Sequence, residues 1–345
     1  MSSNQEKKTS ISTLGEFGLI DHLTKDIKLI HKSTVKGVGD DAAVLRYPED
    51  EVVVTTDLLL EGVHFNLIYT PLQHLGYKSV VVNLSDVCAM NAIPQQITVS
   101  LGISSRFNLE DIELLYDGIS LACKNYGVDL IGGDTSSSMT GLTISITAIG
   151  KVKESKVVHR SGAKINDLIC VTGDLGASYL GLQLLERERK IFEEGSVSNP
   201  HLEGNEYIIG RQLKPEARVD IIKKLQEKNI QPTSMIDISD GLSSDLLHIT
   251  GQSHCGCQVY TEKIPISEES VKMAQEFNMD PLTAALNGGE DYELLFTVDL
   301  SEYENILEME DVFIIGHIVE IEKGRKLITP DDTAIDIQAQ GWKHQ

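Results

Sequence analysis

A polar, turn-forming stretch in the middle of the chain, KESKVVHRSGAKIND at residues 153–167, separates two series of apolar segments. Short β-branched runs such as EVVVTTD precede it, and a new series starts directly after it with DLICVTG. The chain of 345 residues also exceeds the length that one hydrophobic core usually serves. We therefore predict a flexible tail at residues 1–14, an N-terminal domain at 15–155 and a C-terminal domain at 156–345.

Each series mixes strand and helix patterns, which predicts two α/β domains with α+β layering. GLTISITAIGKV alternates apolar and polar residues as a half-buried strand does. GEFGLIDHLTKDIKLI, residues 15–30, has apolar residues at intervals of three and four, which is typical of an amphipathic helix. KPEARVDIIKKLQEK predicts a helix with Pro215 in its first turn, and SMIDISDGLSSDLLHIT predicts a strand, an acidic turn and a helix.

The net charge of −22 argues against a nucleic acid or an anionic membrane as partner, because both need a basic face. No stretch approaches the ~18 consecutive apolar residues of a membrane span. The polar start MSSNQEKKTS lacks the apolar core of a signal peptide. The five cysteines are scattered and odd in number, which predicts structural thiols. These features together predict a cytoplasmic protein.

Eight acidic residues stand beside glycines or at the predicted ends of strands, where their side chains could converge. They are Asp40, Asp41, Asp57, Asp86, Asp134, Asp237, Asp240 and Glu290. Two unit charges at ~4 Å cost on the order of 4 kcal/mol at an effective dielectric of 20, so a cluster of them favours a cation. Mg²⁺ binds a few carboxylates while phosphates and waters complete its shell, so we predict a magnesium site for a phosphate substrate. The rival interpretation is helix capping, for which Asp240 is the strongest candidate.

The usual nucleotide-binding sequences do not occur in the chain. There is no GxxxxGK[ST], no strand followed by GxGxxG and no kinase catalytic-loop signature. If ATP is the phosphate donor, it must therefore bind on a different fold.

Seven motifs, in this order and at these separations, resemble those of thiamine-monophosphate kinase. They are GVGDDAAV, TTDLLLEGVHF, VNLSDVCAMNA, LIGGDTS, HRSGAK, DISDGLSSDL and GGEDYELLF. The resemblance runs from about Gly15 to Trp342 and places the chain in the superfamily of aminoimidazole ribonucleotide synthetase. It implies the two-domain fold of that superfamily and a homodimer built through the N-terminal domains. The implied activity is ATP-dependent phosphorylation of thiamine monophosphate to thiamine diphosphate, by direct in-line transfer with no covalent nucleophile on the protein.

The resemblance also implies roles for residues that match the motifs. Several Mg²⁺ ions would be held by Asp41, Thr55, Thr56, Asp57, Asp86, Asp134, Asp237 and Asp240. ATP would contact Tyr116, Gly133, Asp134, Arg160 and Ser239. Thiamine monophosphate would contact His64, Glu290 and Trp342. One local departure is Asn91, which stands in AMNA where relatives commonly carry glycine.

Other interpretations remain for several residues and for the function. His64 could be a phosphorylated nucleophile or an ordinary polar residue, Trp342 a packing anchor and Glu290 part of a solvated turn. The chain could also be another ATP-dependent synthetase of the same superfamily, which releases phosphate, or a nucleotide- or metal-binding regulator without turnover. The intact acids and Arg160 favour an enzyme over a regulator.

Overall fold

The computed structural model describes residues 22–36, 44–195 and 202–339. By its internal contacts the chain divides into two units. Unit 1 comprises residues 1–83 and 94–151, and unit 2 comprises residues 84–93 and 152–345. Both units combine a β-sheet with helices, which confirms the mixed α/β class predicted from the sequence.

Unit 1 is built on a four-stranded sheet. The described strands of unit 1, including two outside this sheet, are β1 (Thr34–Lys36), β2 (Val44–Leu45), β3 (Glu51–Leu60), β4 (Ile93–Ile103), β5 (Asp129–Ser137) and β6 (Thr143–Val152). The helices are α1 (Leu72–Ala89), which continues into unit 2, and α2 (Leu109–Tyr126). The sheet has the order β3-β6-β4-β5, with β4 and β5 parallel, while β1 and β2 form a separate antiparallel pair. Alternate residues of β6 are buried, as the alternation in its sequence predicted.

Helices α1 and α2 lie in direct backbone contact, and two glycines make this possible. A Cβ atom on Gly76 would stand 2.0 Å from the Leu115 carbonyl oxygen, and one on Gly118 would stand 1.9 Å from the Gln73 carbonyl oxygen. Since no side chain fits in either gap, larger residues at these positions would push the helices apart.

Unit 2 is built on a seven-stranded sheet. Its strands are β7 (Leu168–Thr172), β8 (Ser234–Asp237), β9 (Gly256–Tyr260), β10 (Leu294–Val298), β11 (Val312–Val319), β12 (Arg325–Ile328) and β13 (Ala334–Asp336). The sheet order is β13-β12-β9-β11-β7-β10-β8, and every pairing is antiparallel except that of β12 with β9. Strands β7, β8 and β10 are buried along their whole length, because both faces of the sheet are covered there.

The helices of unit 2 contribute to two apolar clusters, one shared with the sheet and one between helices. These helices are α3 (Ala177–Glu193), α4 (Glu206–Leu213), α5 (Val219–Glu227), α6 (Leu242–Gln252), α7 (Glu268–Glu276), α8 (Pro281–Asn287) and α9 (Tyr303–Leu307). One cluster joins Leu242 and Leu246 of α6 to strand residues, and the other joins Leu180 and Leu184 of α3 to Met273 of α7. In the described part of the chain, no helix has the length and apolarity needed to cross a membrane.

Two helix predictions need correction. Of the helix predicted through Ile30, the described residues 22–24 are helical but residues 27–30 are not. The amides of Ile30 and His31 instead donate to the buried carboxylate of Asp129, at 2.6 and 3.1 Å. Pro215 is not in the first turn of a helix either, because α5 begins only at Val219.

The prediction that the acids lie at turns or strand ends is wrong for three of them. Asp57 lies inside β3, Asp134 inside β5 and Asp86 inside α1. The glycines before Asp134 do not end the strand. Gly133 instead allows β5 to approach β4, since a Cβ atom there would stand 1.8 Å from the Val99 carbonyl oxygen. Asp237 does end a strand, as predicted.

The backbone conformation of Asn91 explains why asparagine can replace the glycine that is common in relatives. This residue follows α1 with φ of 59°, a left-handed conformation in which glycine is favoured and asparagine is among the better tolerated alternatives. Its side-chain amide donates to the Lys156 carbonyl oxygen at 2.8 Å.

The five cysteines are unpaired thiols, and four of them are buried. Burial raises the pKa of Cys88 and Cys170, and it raises the pKa of Cys257 to about 12. Since the thiolate is the reactive form, these groups are chemically quiet, as the prediction of structural thiols requires.

Candidate functional site

In unit 2 the structure brings together Asp86, Arg160 and Asp237, which were predicted to bind metal or phosphate. Asp237 is only 3% exposed and its carboxylate accepts a hydrogen bond from the Ser85 hydroxyl at 2.7 Å. Burial, followed by the negative charge of Asp86, raises the pKa of Asp237 to about 7, while Ser85 and Arg160 act in the opposite direction. Sequence reasoning missed Ser85, although it stands directly before Asp86 in the motif NLSDV.

The turn after β8 carries Ser239 and Asp240, both exposed. Asp240 does not cap α6, so the capping interpretation is wrong for it: the N-cap residue is Gly241, with φ of 117°. Asp245, one turn into the helix, accepts from the amides of Asp240 and Gly241 at 3.3 and 3.2 Å. Burial and the charges of Asp237 and Asp240 raise the pKa of Asp245 to about 8. Sequence reasoning missed Asp245, whose only signal is a second acid in SDGLSSDLL.

The chemistry of these side chains fits magnesium. Within residues 22–36, 44–195 and 202–339, no three His, Cys, Asp or Glu side chains are arranged to hold a metal ion. However, Asp86 and Asp237 are two carboxylates close enough to raise the pKa of Asp237, and hard oxygen donors of this kind suit Mg²⁺. A cation beside them would relieve the repulsion between two negative charges.

In unit 1, β3 carries Thr55, Thr56 and Asp57. The Thr56 hydroxyl donates to the Ile146 carbonyl oxygen and accepts from the Thr147 hydroxyl, both at 3.1 Å. Successive side chains of a strand point to opposite faces, so Thr55 and Asp57 share the other face. The Asp57 amide donates to the buried Asn83 side chain at 3.0 Å, which ties this strand to α1.

Gly133 and Asp134 lie on β5, at the opposite edge of the same sheet from β3. Two strands separate these edges, and with adjacent strands ~4.8 Å apart the distance along the sheet is about 14 Å. Asp57 and Asp134 of one chain are therefore not placed to share a metal ion. The strand contact of Gly133 gives this residue a packing role besides the predicted contact with ATP.

Tyr116 lines a cavity of about 820 Å³ between α2 and residues 22–30. The wall includes three cationic and three anionic side chains, which are those of Lys25, Lys28, Lys124, Asp26, Glu113 and Asp117. Burial raises the pKa of Tyr116 to about 12, so the phenol stays protonated at neutral pH. The cavity is large enough for a heterocyclic ring with its sugar.

His64 and Glu290 are both held in defined turns. His64 Nδ1 accepts from the Leu60 amide at 3.0 Å, which fixes the imidazole ring after β3. Glu290 has φ of 56° and its amide donates to the Ser239 carbonyl oxygen at 2.8 Å. This contact places Glu290 beside the turn that carries Ser239 and Asp240. The remaining predicted residues, Asp40, Asp41 and Trp342, lie outside the described residues, as does the tail predicted at residues 1–14.

The chain is similar to known proteins along nearly its whole length. Residues 39–152 match the family model of the AIR synthase related protein, N-terminal domain. The chain is 33% identical to the thiamine-monophosphate kinase of Aquifex aeolicus, over 97% of this chain and 99% of the relative. It is 34% identical to that of Bacillus subtilis, over 96% and 99%. A solved structure of AaThiL complexed with AMPPCP and TMP is 33% identical, with a TM-score of 0.73 over 98% of this chain and 99% of the other.

Proposed function

The chain belongs to the thiamine-monophosphate kinase family, and we propose that it transfers the terminal phosphoryl group of ATP to thiamine monophosphate in one direct, magnesium-assisted step. The family relation spans nearly the whole length of both proteins, and the related AaThiL structure contains an ATP analogue together with TMP. The observation in this chain that supports the proposal most is the group of Asp86, Arg160 and Asp237 in unit 2.

These residues have the properties that phosphoryl transfer needs. When bound, Mg²⁺ would neutralise negative charge on the phosphate oxygens. Asp86 and Asp237 would hold it in unit 2, with Ser85 fixing the orientation of the Asp237 carboxylate. Arg160 would bind a phosphate oxygen with its permanent positive charge, and the exposed Ser239 would contact ATP. Asp240 would supply a further carboxylate, and we propose the same role for Asp41.

In unit 1 we propose further magnesium ligands, which lie on its strands. Thr55, Asp57 and Asp134 carry oxygen donors that suit Mg²⁺. Because the Thr56 hydroxyl is engaged with β6, we propose that Thr56 takes part through its backbone carbonyl. The distance between the strands of Asp57 and Asp134 favours several ions over a single one.

We propose that the cavity beside Tyr116 holds the adenine and ribose of ATP. Tyr116 offers an aromatic face or edge to a purine ring, and the lysines and carboxylates of the wall offer hydrogen-bond donors and acceptors to the base and the ribose. Gly133 would let the nucleotide approach the backbone of β5, because it has no side chain.

For the acceptor, we propose contacts from His64, Glu290 and Trp342. A carboxylate and an aromatic ring are suited to the cationic thiazolium of thiamine monophosphate. The hydrogen bond from the Leu60 amide to His64 Nδ1 holds the ring in place, which supports a binding role for His64 over a covalent one.

We also propose a homodimer that forms through unit 1. Strand β3 is an edge strand, and its outer face carries Val54 and Leu58, which are 61% and 52% exposed. Exposed apolar edge strands favour pairing with another chain, and a second copy is the partner that every molecule has available. For the location we propose the cytoplasm, which the unpaired cysteines support.

The test is to incubate the protein with ATP, Mg²⁺ and thiamine monophosphate and to identify all products. The proposal predicts ADP and thiamine diphosphate in equal amounts and no reaction when EDTA removes the metal. Release of inorganic phosphate without thiamine diphosphate would favour a synthetase. Nucleotide binding with no product of any kind would favour a regulator.

A further inference from the structure

The loop that carries Glu290 is held in an unusual conformation. Glu290 and Tyr292 have φ of 56° and 54°, a left-handed region that non-glycine residues seldom adopt. Such conformations persist only where the surroundings enforce them, and they are concentrated at functional sites. Here the amides of Glu290 and Tyr292 donate to the carbonyl oxygens of Ser239 and Ile238 at 2.8 and 2.9 Å.

Helices α3 and α4 hold the same loop from its other side. Between the two left-handed residues, the buried Asp291 carboxylate accepts from the Gly176 amide at 2.8 Å, at the start of α3. Arg211 of α4 donates to the Glu293 carboxylate at 2.8 Å. These contacts hold the carboxylates of Asp291 and Glu293 in place, but they do not involve the side chain of Glu290.

Gln212, the neighbour of Arg211, does contact that side chain. Its amide nitrogen donates to the Glu290 carboxylate at 3.0 Å, and its amide oxygen accepts from the Ser178 hydroxyl at 2.6 Å. Gln212 is 5% exposed and Ser178 is fully buried. Because a carboxylate only accepts, the nitrogen end of the amide must face Glu290, and the oxygen end then accepts from the Ser178 hydroxyl, which can serve as donor. The chain of hydrogen bonds from Ser178 through Gln212 therefore orients one carboxylate oxygen of Glu290.

We propose that Gln212 is a positioning residue that orients the Glu290 carboxylate for the cationic ring of the phosphoryl acceptor. This inference rests on the proposed function, because it assumes that Glu290 contacts the acceptor. An amide suits the task because it donates a hydrogen bond without adding charge. A lysine or arginine in its place would compete with a cationic ligand for the carboxylate. Gln212 thus limits the rotation of the Glu290 side chain without adding a positive charge beside its carboxylate.

The first test is the variant Gln212→Met, which keeps the size of the side chain and removes both hydrogen bonds. We expect KM for thiamine monophosphate to rise about tenfold, as for a weakened contact to a charged group, while KM for ATP and kcat stay within about twofold. The matched control is Gln226→Met, since Gln226 of α5 donates to the Asn91 carbonyl oxygen in the same unit and has no contact with the loop. This control should leave all three constants unchanged.

The second test is a double-mutant cycle with Glu290→Ala. If Gln212 acts through Glu290, Gln212→Met should raise KM for thiamine monophosphate no further when Glu290→Ala is already present. The inference would be overturned if the double variant raised KM for thiamine monophosphate by the product of the two single effects, or if Gln212→Met raised KM equally for both substrates. Gln212 would then be a structural residue. If Gln212→Met does not fold, Ser178→Ala is the replacement, because it releases the amide of Gln212, and a rise of about threefold in the same KM is expected.

The two proposals can fail separately. A wild-type protein that makes no thiamine diphosphate refutes the proposed function, and the inference with it. A wild-type protein that makes thiamine diphosphate, with an unchanged KM in Gln212→Met, refutes the inference alone.

Discussion

The two units present their acidic residues in different ways. In unit 2, Asp237 is buried, bonded to Ser85 and close to Asp86 and Arg160, so its position is fixed before any ligand arrives. In unit 1, Asp57 and Asp134 lie on opposite edge strands of one sheet. The comparison suggests that unit 2 carries a preorganised group of ligands, whereas the acids of unit 1 need an additional component to act together.

The largest effect is expected from Asp237→Asn. Loss of this carboxylate should lower kcat by about a thousandfold, the scale seen when one preorganised electrostatic group is removed. The melting temperature of the metal-free protein should stay level or rise, because a neutral amide replaces a buried charge beside Asp86. Enzyme assays and thermal unfolding of this variant give both values. Asp220→Asn, an exposed position in unit 2, is the control and should keep full activity. A large fall in metal-free stability would mean that Asp237 is a structural residue.

A mixture of two inactive variants tests the arrangement of unit 1. Asp57→Asn and Asp134→Asn should each abolish turnover. Pairing of edge strands between two copies could bring Asp57 of one protomer to Asp134 of the other. A dimer of one Asp57→Asn chain and one Asp134→Asn chain would then have one of its two sites intact. Random exchange of subunits should then restore about a quarter of wild-type activity. No recovery, with exchange verified by mass spectrometry, would show that both carboxylates act within one chain.

Adjacent glycines of β5 distinguish a packing role from a binding role in unit 1. A Cβ atom on Gly133 would stand 1.8 Å from the Val99 carbonyl oxygen, whereas one on Gly132 would meet nothing within 4 Å. We therefore expect Gly133→Ala to lower the free energy of unfolding by about 3 kcal/mol, and Gly132→Ala to change it by less than about 1 kcal/mol. Denaturant titrations of both variants measure the difference. Equal values would contradict the close approach of β5 to β4.

The smallest expected effect concerns pH and unit 2. Burial is the main reason that the pKa of Asp291 rises from 3.8 to about 7. Its protonated form is therefore favoured by folding, so its contribution to stability is complete below about pH 4 and is lost as the pH rises through about 7. Asp291→Asn should remove this part of the pH dependence, as measured by denaturant titrations from pH 4 to 8. Asp220→Asn should keep the wild-type slope. An unchanged slope in Asp291→Asn would mean that Asp291 is ionised throughout.

Local patterns in the sequence predicted much of the fold. Alternation in β6 and the run of β-branched residues in β3 both specify strands, because these patterns depend on neighbours along the chain. The helix predicted through Ile30 was wrong because the competing partner, Asp129, is 99 residues away along the chain. Asp134 was predicted at the end of a strand because the reason for the glycine before it, the close approach of Gly133 to Val99, is set by tertiary structure.

The sequence predicted which residues are candidates for the site, but not the hydrogen bonds that hold them in place. The motifs identified Asp86, Asp237 and Glu290, whose roles remain predictions. The side chains that orient two of these residues could not be found in the same way. Ser85 contacts an acid 152 positions away, and Gln212 contacts one 78 positions away. Neither Ser85 nor Gln212 has a property that distinguishes it from other serines and glutamines until the chain is folded.

Direct transfer of the phosphoryl group can be tested with ATP made chiral at its terminal phosphorus with oxygen isotopes. After reaction with thiamine monophosphate and Mg²⁺, the configuration of the transferred phosphoryl group in thiamine diphosphate is determined. One direct in-line displacement predicts thiamine diphosphate with inverted configuration at that phosphorus. Retention would require two displacements and a phosphorylated protein group such as His64, and it would rule out direct transfer. The absence of labelled thiamine diphosphate would rule out the kinase activity itself.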